Sequence, residues 1–181
     1  MIEAAVPSLV GHGLQLVVLG TGEAQHHDAL LELARSYPDS TAFFLSYDQD
    51  LAHKIFAGSD MMLVPSRYEP CGLNQLYALK YGTVPVVRAT GGLNDTVEEF
   101  DSERDTGTGF KFIQADAGAL EETVLKAARL YKEDPKVWQR LMVRGMTQDF
   151  SWRRSAREYL KLYKKAVRCR QIALKPGGLT T

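Results

Sequence analysis

Short apolar runs rich in β-branched residues recur along this chain, and a helical pattern separates each from the next. That rhythm constrains the fold more than any other feature. A strand with no polar face must be covered on both sides, and strands separated by helices must run parallel. The runs are residues 14–19 (LQLVVL), 41–45, 61–64, 84–87 and 109–113. Between them, residues 23–36 carry Ala29, Leu30, Leu33 and Ala34 at helical spacing. Asp48 is placed to cap a helix holding Leu51, Ala52, Ile55 and Phe56. Residues 73–81 form a helical stretch that Gly82 and Thr83 turn into the next strand, and a short helix follows Gly91-Gly92. From 117 onward the pattern is helical only: 119–132, 135–146, and a third helix capped by Ser151 that runs to about 168. The expectation is an α/β fold, a Rossmann-like parallel sheet flanked by helices. One domain covers 1–168, and 169–181, with Pro176-Gly177-Gly178, is a tail or linker.

At 181 residues, 45% hydrophobic and 24% charged, the chain is long enough for one sizeable core, and its composition excludes disordered and collagen-like classes. Lys plus Arg equals Asp plus Glu, 22 each, so no basic excess draws in a nucleic-acid backbone or an anionic membrane. Cys71 and Cys169 lie far apart with no CxxC partner, which argues against a disulfide framework and a structural zinc site and favours a reducing cytoplasmic setting. No apolar run approaches the ~18 residues that span a bilayer. The opening MIEAAVPSLV has neither the basic region nor the cleavage site of a signal peptide. It reads as a helix under way, with Ile2, Ala5, Val6 and Leu9 on one side, and suggests a piece of a longer protein.

Open parallel sheets bind ligands beyond the carboxyl ends of their strands, so the loops after 19, 45, 64 and 87 matter most. Gly20-Thr21-Gly22 either lets backbone approach a ligand or packs a tight strand-to-helix turn. The loop 65–74 (PSRYEPCGLN) runs straight into a helix, so the amides of Gly72, Leu73 and Asn74 are unpaired donors at its positive end, suited to phosphate oxygens. Gly72 lacks a Cβ that would hold an anion away. Glu69, held extended before Pro70, can project over the same pocket. Phosphate repels a carboxylate, so its natural partner is a hydroxylated neutral group or a developing cation, and a sugar is both. The plain alternative is a solvated loop acid beside a rigid turn. Cys71 has no nearby His or Asp and is expected to pack beneath the loop. Tyr47 can lie against a planar base or simply pack. The histidines show no metal-ligand spacing, His26-His27 reads as a solvated pair, and the Lys/Arg-rich stretch 161–170 reads as the wet side of a helix.

Residues 65–97, PSRYEPCGLNQLYALKYGTVPVVRATGGLNDTV, closely resemble the signature of bacterial glycogen synthases and plant starch synthases. VVLGTGE at 17–23, HKIFAGSDMMLVPS at 53–66 and DFSW at 149–152 extend the similarity. The resemblance implies the C-terminal lobe of a two-lobed GT-B glycosyltransferase. Such enzymes move glucose from ADP-glucose to the non-reducing end of an α-1,4-glucan with retention and without a metal. It also implies that Glu69 acts beside the donor glucose, that Cys71, Gly72, Leu73 and Asn74 cradle pyrophosphate and sugar, and that Tyr47 packs on adenine. Related transferases carry a second glutamate where Tyr77 stands, a departure shared with glycogen and starch synthases. The KTGGL loop, the acceptor groove, a histidine from the other lobe and the phosphate-neutralising Arg and Lys have no counterpart here. Arg67 and Arg88 are not assigned that last role. The expected partners are therefore ADP-glucose, an α-1,4-glucan and the N-terminal lobe, and the fragment alone is expected to be inactive, at best a weak ADP binder. The cytoplasm, or a plastid in a plant, is the expected location. Three other readings fit the strand pattern: a transferase for another nucleotide sugar, a binding module that has lost turnover, and a flavodoxin-like domain.

Overall fold

The structure is a computed structural model that describes residues 1–173. It divides into two compact units, one spanning Met1–Gln148 and a second beginning at Asp149. In the first unit α1 (Ile2–Gly11), β1 (Leu16–Leu19), α2 (Ala24–Ser36), β2 (Thr41–Phe44), α3 (Gln49–Gly58) and β3 (Met61–Val64) follow one another. Then come α4 (Asn74–Tyr81), β4 (Val84–Arg88), α5 (Gly91–Thr96), β5 (Phe110–Phe112), α6 (Ala117–Glu133) and α7 (Pro135–Met146).

The alternation read from the apolar runs is the observed one, and every strand pairing is parallel. Among the described residues five strands form two ladders, β1-β2 and β3-β4-β5. β4 is central in the larger, and its VPVV run is buried throughout because both faces are covered. Val84 and Val86 join Phe110 and Phe112 of β5 under Ala5 and Leu9 of α1, Leu120, Val124 and Ala127 of α6, and Trp138 and Leu141 of α7. Val87 faces the other way, with Val64 of β3 and with Leu93 and Val97 at α5. Each such valine, leucine or phenylalanine withdrawn from water stabilises the fold by ~1.5–3 kcal/mol. Pro85 is unusual inside a central strand because it has no N–H to give. The amide of Val84 donates to Asp60 on the β3 side, and pairing with β5 begins only at Val86. Opposite Pro85 stands Gly109, where a Cβ would come 2.5 Å from the Pro85 carbonyl oxygen.

Asp48 caps α3, its carboxylate accepting from the Leu51 amide at 2.9 Å. Asp116 and Asp134 cap α6 and α7 in the same way. Gly82 closes α4 at φ 82°, the left-handed conformation that glycine adopts without penalty. The segment between α5 and β5 folds back through bridges Asp101↔Thr106 and Glu99↔Gly109. Arg140 and Arg144 of α7 hold it by reaching Asp105 at 2.5 and 2.9 Å.

In the second unit α8 (Trp152–Ala173) runs through the boundary expected near 168. Ser151 precedes it: its amide donates to Asp149 at 2.9 Å and its carbonyl accepts from the Arg154 amide at 3.0 Å, while no first-turn amide among the described residues donates to its hydroxyl. Residues 174–181 of the expected tail lie outside the described residues. Among the described residues no helix is long and apolar enough to cross a membrane.

Candidate functional site

The candidate residues stand on loops that leave the carboxyl ends of parallel strands. After β1, the Gly20 amide donates to the Phe44 carbonyl at 3.1 Å and ties the ends of β1 and β2 together. A Cβ at Gly20 or Gly22 would meet nothing within 4 Å, so tight packing is not what keeps glycine there. The Gly22 amide instead donates to His27 Nε2 at 3.0 Å, and His26 Nδ1 lies 2.7 Å from Glu3 Oε1. His26 is exposed, as expected of a solvated pair, and His27 is half-buried, but each ring also has a polar partner. Polar atoms within reach along the chain and on α1 are the reason.

After β2 comes Tyr47, 88% exposed. Its ring is not spent on the core, which leaves its face open to a planar partner.

The loop after β3 is the most constrained. Arg88, at the end of β4, donates through Nε to the Ile113 carbonyl at 3.0 Å and through Nη1 to the Arg67 carbonyl at 2.6 Å. The Nε and Nη1 of that guanidinium brace three strand ends, whereas Arg67 is exposed. Glu69 is half-buried; its carbonyl accepts from the Gly92 amide at 3.1 Å, and no group among the described residues engages its carboxylate. The backbone of Glu69 is thus held in place while its carboxylate is left free.

Cys71 is exposed, against the expectation that it packs beneath the loop. The inner side is already taken. A Cβ at Gly92 would sit 2.5 Å from the Cys71 carbonyl oxygen and 2.6 Å from its Cα. Gly72 has φ 73°, and a Cβ there would come 2.6 Å from Gln75 Oε1. Its glycine is thus required by backbone conformation and by the Gln75 side chain, independently of any anion. Beyond it the amides of Gly72, Leu73 and Asn74 find no acceptor among the described residues. They point out of the start of α4, where the aligned peptide dipoles add positive potential. Leu73 is 57% exposed and Asn74 is exposed, so this helix end is open.

Four residues that sequence reasoning did not single out hold this loop in place. Gln75 is fully buried and donates to the carbonyls of Cys71 (2.9 Å) and Gly72 (3.2 Å) and to Thr96 Oγ1 (3.2 Å). Thr96 in turn donates to the Gly92 carbonyl at 2.6 Å. Gly91, at φ 45°, and Gly92 leave room for the backbone of Glu69–Cys71 to lie directly on α5. The available signals were a glutamine among the apolar residues of a helix's inward side, beside Ala78 and Leu79, and a second glycine where one suffices to start a helix. Among the described residues no group of three or more His, Cys, Asp or Glu side chains could hold a metal ion.

Known proteins share this architecture. The glycogen synthase of Koribacter versatilis is 53% identical over 154 residues, covering 85% of this chain and 32% of that protein. The glycogen synthase of Thermotoga maritima is 49% identical over 154 residues, covering 85% of the chain and 32% of the relative. The catalytic domain of Arabidopsis thaliana starch synthase IV, solved with ADP and acarbose, superposes with a TM-score of 0.81 at 36% identity. That match covers 92% of this chain and 35% of the other. A sucrose-phosphate synthase from Thermosynechococcus elongatus, at 24% identity and TM-score 0.67, shares the fold, with 93% of this chain and 42% of that one covered. The fold is thus the Rossmann-like GT-B lobe expected from the sequence, and the chain spans about a third of the length of the relatives it matches. Residues 1–140 match the family described as glycosyl transferases group 1, and to that family the chain belongs.

Proposed function

We propose that this chain is the nucleotide-sugar-binding, C-terminal half of a glycogen or starch synthase. The whole enzyme would transfer glucose from ADP-glucose to the non-reducing end of an α-1,4-glucan with retention. One observation carries the reading: unpaired amides at the open start of α4 lie in the same short loop as the unengaged carboxylate of Glu69. As the glucose–phosphate bond stretches, negative charge grows on the departing ADP and positive charge on the anomeric carbon. The amides of Gly72, Leu73 and Asn74, already oriented by the fold, stabilise the first charge without reorganisation. Glu69 stabilises or orients the second through the sugar, and the face of Tyr47 receives adenine. Cys71 contributes backbone to the cradle, its thiol being turned outward. Charge stabilisation of this kind calls for no resident metal. The acceptor groove belongs to the part of the relatives that this chain does not span, so the 181-residue chain alone binds ADP weakly and transfers nothing. The setting we read for it is the cytoplasm, or a plastid in a plant.

Calorimetric titration with ADP, ADP-glucose and UDP tests this. ADP should bind more tightly than UDP, Gly72→Val should abolish ADP binding, and Glu69→Ala should leave it largely intact. Binding of ADP undisturbed by Gly72→Val, or glucan elongation by the 181-residue chain, would overturn the reading.

A further inference from the structure

We infer that Gln75 is a positioning residue: a buried amide that fixes the anion-binding face of the loop by tying it to α5. The inference rests on the diphosphate site proposed above and extends it to a residue that touches no ligand.

Gln75 lies in the first turn of α4 with none of its surface exposed. Its Nε2 reaches three acceptors, the carbonyls of Cys71 and Gly72 and the hydroxyl of Thr96. The orientation of the amide is settled by chemistry. Carbonyls only accept, so turning the group over would set Oε1 against two carbonyl oxygens. The cost of that orientation is visible in Oε1, which is buried without a partner among the described residues. An unpaired buried acceptor destabilises a fold, and a plain apolar side chain would avoid it. What the glutamine achieves instead is directional. By drawing the Cys71 and Gly72 carbonyls inward it turns the amides that follow them outward, into the space before the helix.

The same amide reaches a second element. Thr96 passes the connection to the Gly92 carbonyl, and the Gly92 amide closes it on the Glu69 carbonyl. The circuit runs Glu69, Gly92, Thr96, Gln75, Cys71, so the residue beside the sugar and the residues around the phosphates are set by one network. Gly91 and Gly92 keep it short by letting the two backbones touch. Loss of one buried member of such a network removes the geometry as well as its own bonds. Helix α4 itself remains, because Ala78 and Leu79 keep their core contacts.

The test compares ADP with adenosine, which keeps the base and ribose and lacks the phosphates, on the 181-residue chain. Parent, Gln75→Leu, Gln75→Asn and Thr96→Val are titrated by calorimetry, with thermal unfolding recorded for each. Gln75→Leu should weaken ADP by about tenfold or more, the weight of a charge-assisted hydrogen bond, while adenosine affinity stays within about twofold. A shortened amide should not reach the Cys71 carbonyl, so Gln75→Asn should not rescue. Thr96→Val should fall between parent and Gln75→Leu. Hydrogen exchange at the Gly92 amide supplies a readout without ligand: it should speed up in Gln75→Leu although the unfolding midpoint of the core moves little. Equal loss of ADP and adenosine, or an unchanged preference for ADP in the variants, overturns the inference alone. A parent chain that binds ADP no better than adenosine overturns the diphosphate site and the inference with it.

Discussion

Gly92→Ala isolates the contact between α5 and the site loop. Gly92 does not have a left-handed backbone, so the substitution adds a methyl group without conformational strain of the kind expected at Gly91. That methyl would lie 2.6 Å from Cys71 Cα and 2.5 Å from its carbonyl oxygen. The first separation is about 1 Å inside the spacing at which nonbonded carbons rest. Both neighbours are backbone, so no flexible side-chain end can swing aside. Overpacking of this kind costs ~1–3 kcal/mol. Moving the loop also stretches the bond from the Gly92 amide to the Glu69 carbonyl, a further ~0.5–1.5 kcal/mol. Alanine recovers ~0.5–1 kcal/mol through its better helix propensity. The net loss is therefore about 2 kcal/mol, a fall of about 4–8 °C in the unfolding midpoint for a chain of this size. Gly58→Ala is the matched control. It sits in the last turn of α3, where a Cβ meets nothing within 4 Å, and should leave the midpoint unchanged or slightly raised. Circular dichroism of the two variants and the parent decides the matter. If Gly92→Ala unfolds together with Gly58→Ala, the two backbones are not in contact and the bracing of Glu69 through α5 is wrong.

Three further outcomes follow from the packing and the charges. Trp138 is 4% exposed and lies against the rings of Phe110 and Tyr131, so Trp138→Ala should cost ~3–5 kcal/mol in urea unfolding; a loss below ~1 kcal/mol would mean the α7 contact is dispensable. The Asp105 carboxyl is held below the ordinary aspartate range, first by its hydrogen bond from Arg140 and then by Arg144. Its contribution is present above the ordinary range and fades as pH falls through the lowered value, so Asp105→Asn should flatten the acid side of the stability profile, and superimposable profiles would refute the clamp. Tyr47→Ala should leave the unfolding midpoint unchanged, because the ring touches no core, yet weaken ADP and adenosine alike; selective loss of ADP would contradict a stacking role.

The strand–helix order was legible because each strand announces itself twice, by an apolar run and by the break that ends it. Residues 61–64 and 135–146 stand in the structure as β3 and α7 with the expected bounds. The open helix end at Asn74 was legible for a similar reason, since a loop that runs into a helix must leave its first amides unpaired. What stayed hidden is information about pairs of segments. The exposure of Cys71 depends on Gly92, which approaches from α5, and the partners of His26 and His27 depend on Glu3 and on the turn at Gly22. The need for glycine at Gly72 comes partly from its own φ and partly from a side chain three residues on. No periodicity carries such facts.

The candidate site therefore mixes two kinds of residue that the sequence alone does not separate. Tyr47, Leu73 and Asn74 are exposed and Glu69 is half-buried with an unengaged carboxylate; these can meet a ligand. Gln75, Gly91, Gly92 and Arg88 instead make contacts to other parts of the protein that hold the loop in place. The two groups should respond differently to substitution. Removing a member of the first leaves the fold intact and lowers affinity for one part of the ligand: base, phosphate or sugar. Removing a member of the second shifts the phosphate and donor-sugar parts together and spares the base, because the Glu69 carbonyl and the Cys71 and Gly72 carbonyls are held by one network. Since Glu69 takes its direction from a bond to Gly92, a change in α5 alters the acid without touching it. The position of the acid is a property of the loop after β3, of α5 and of the buried amide between them.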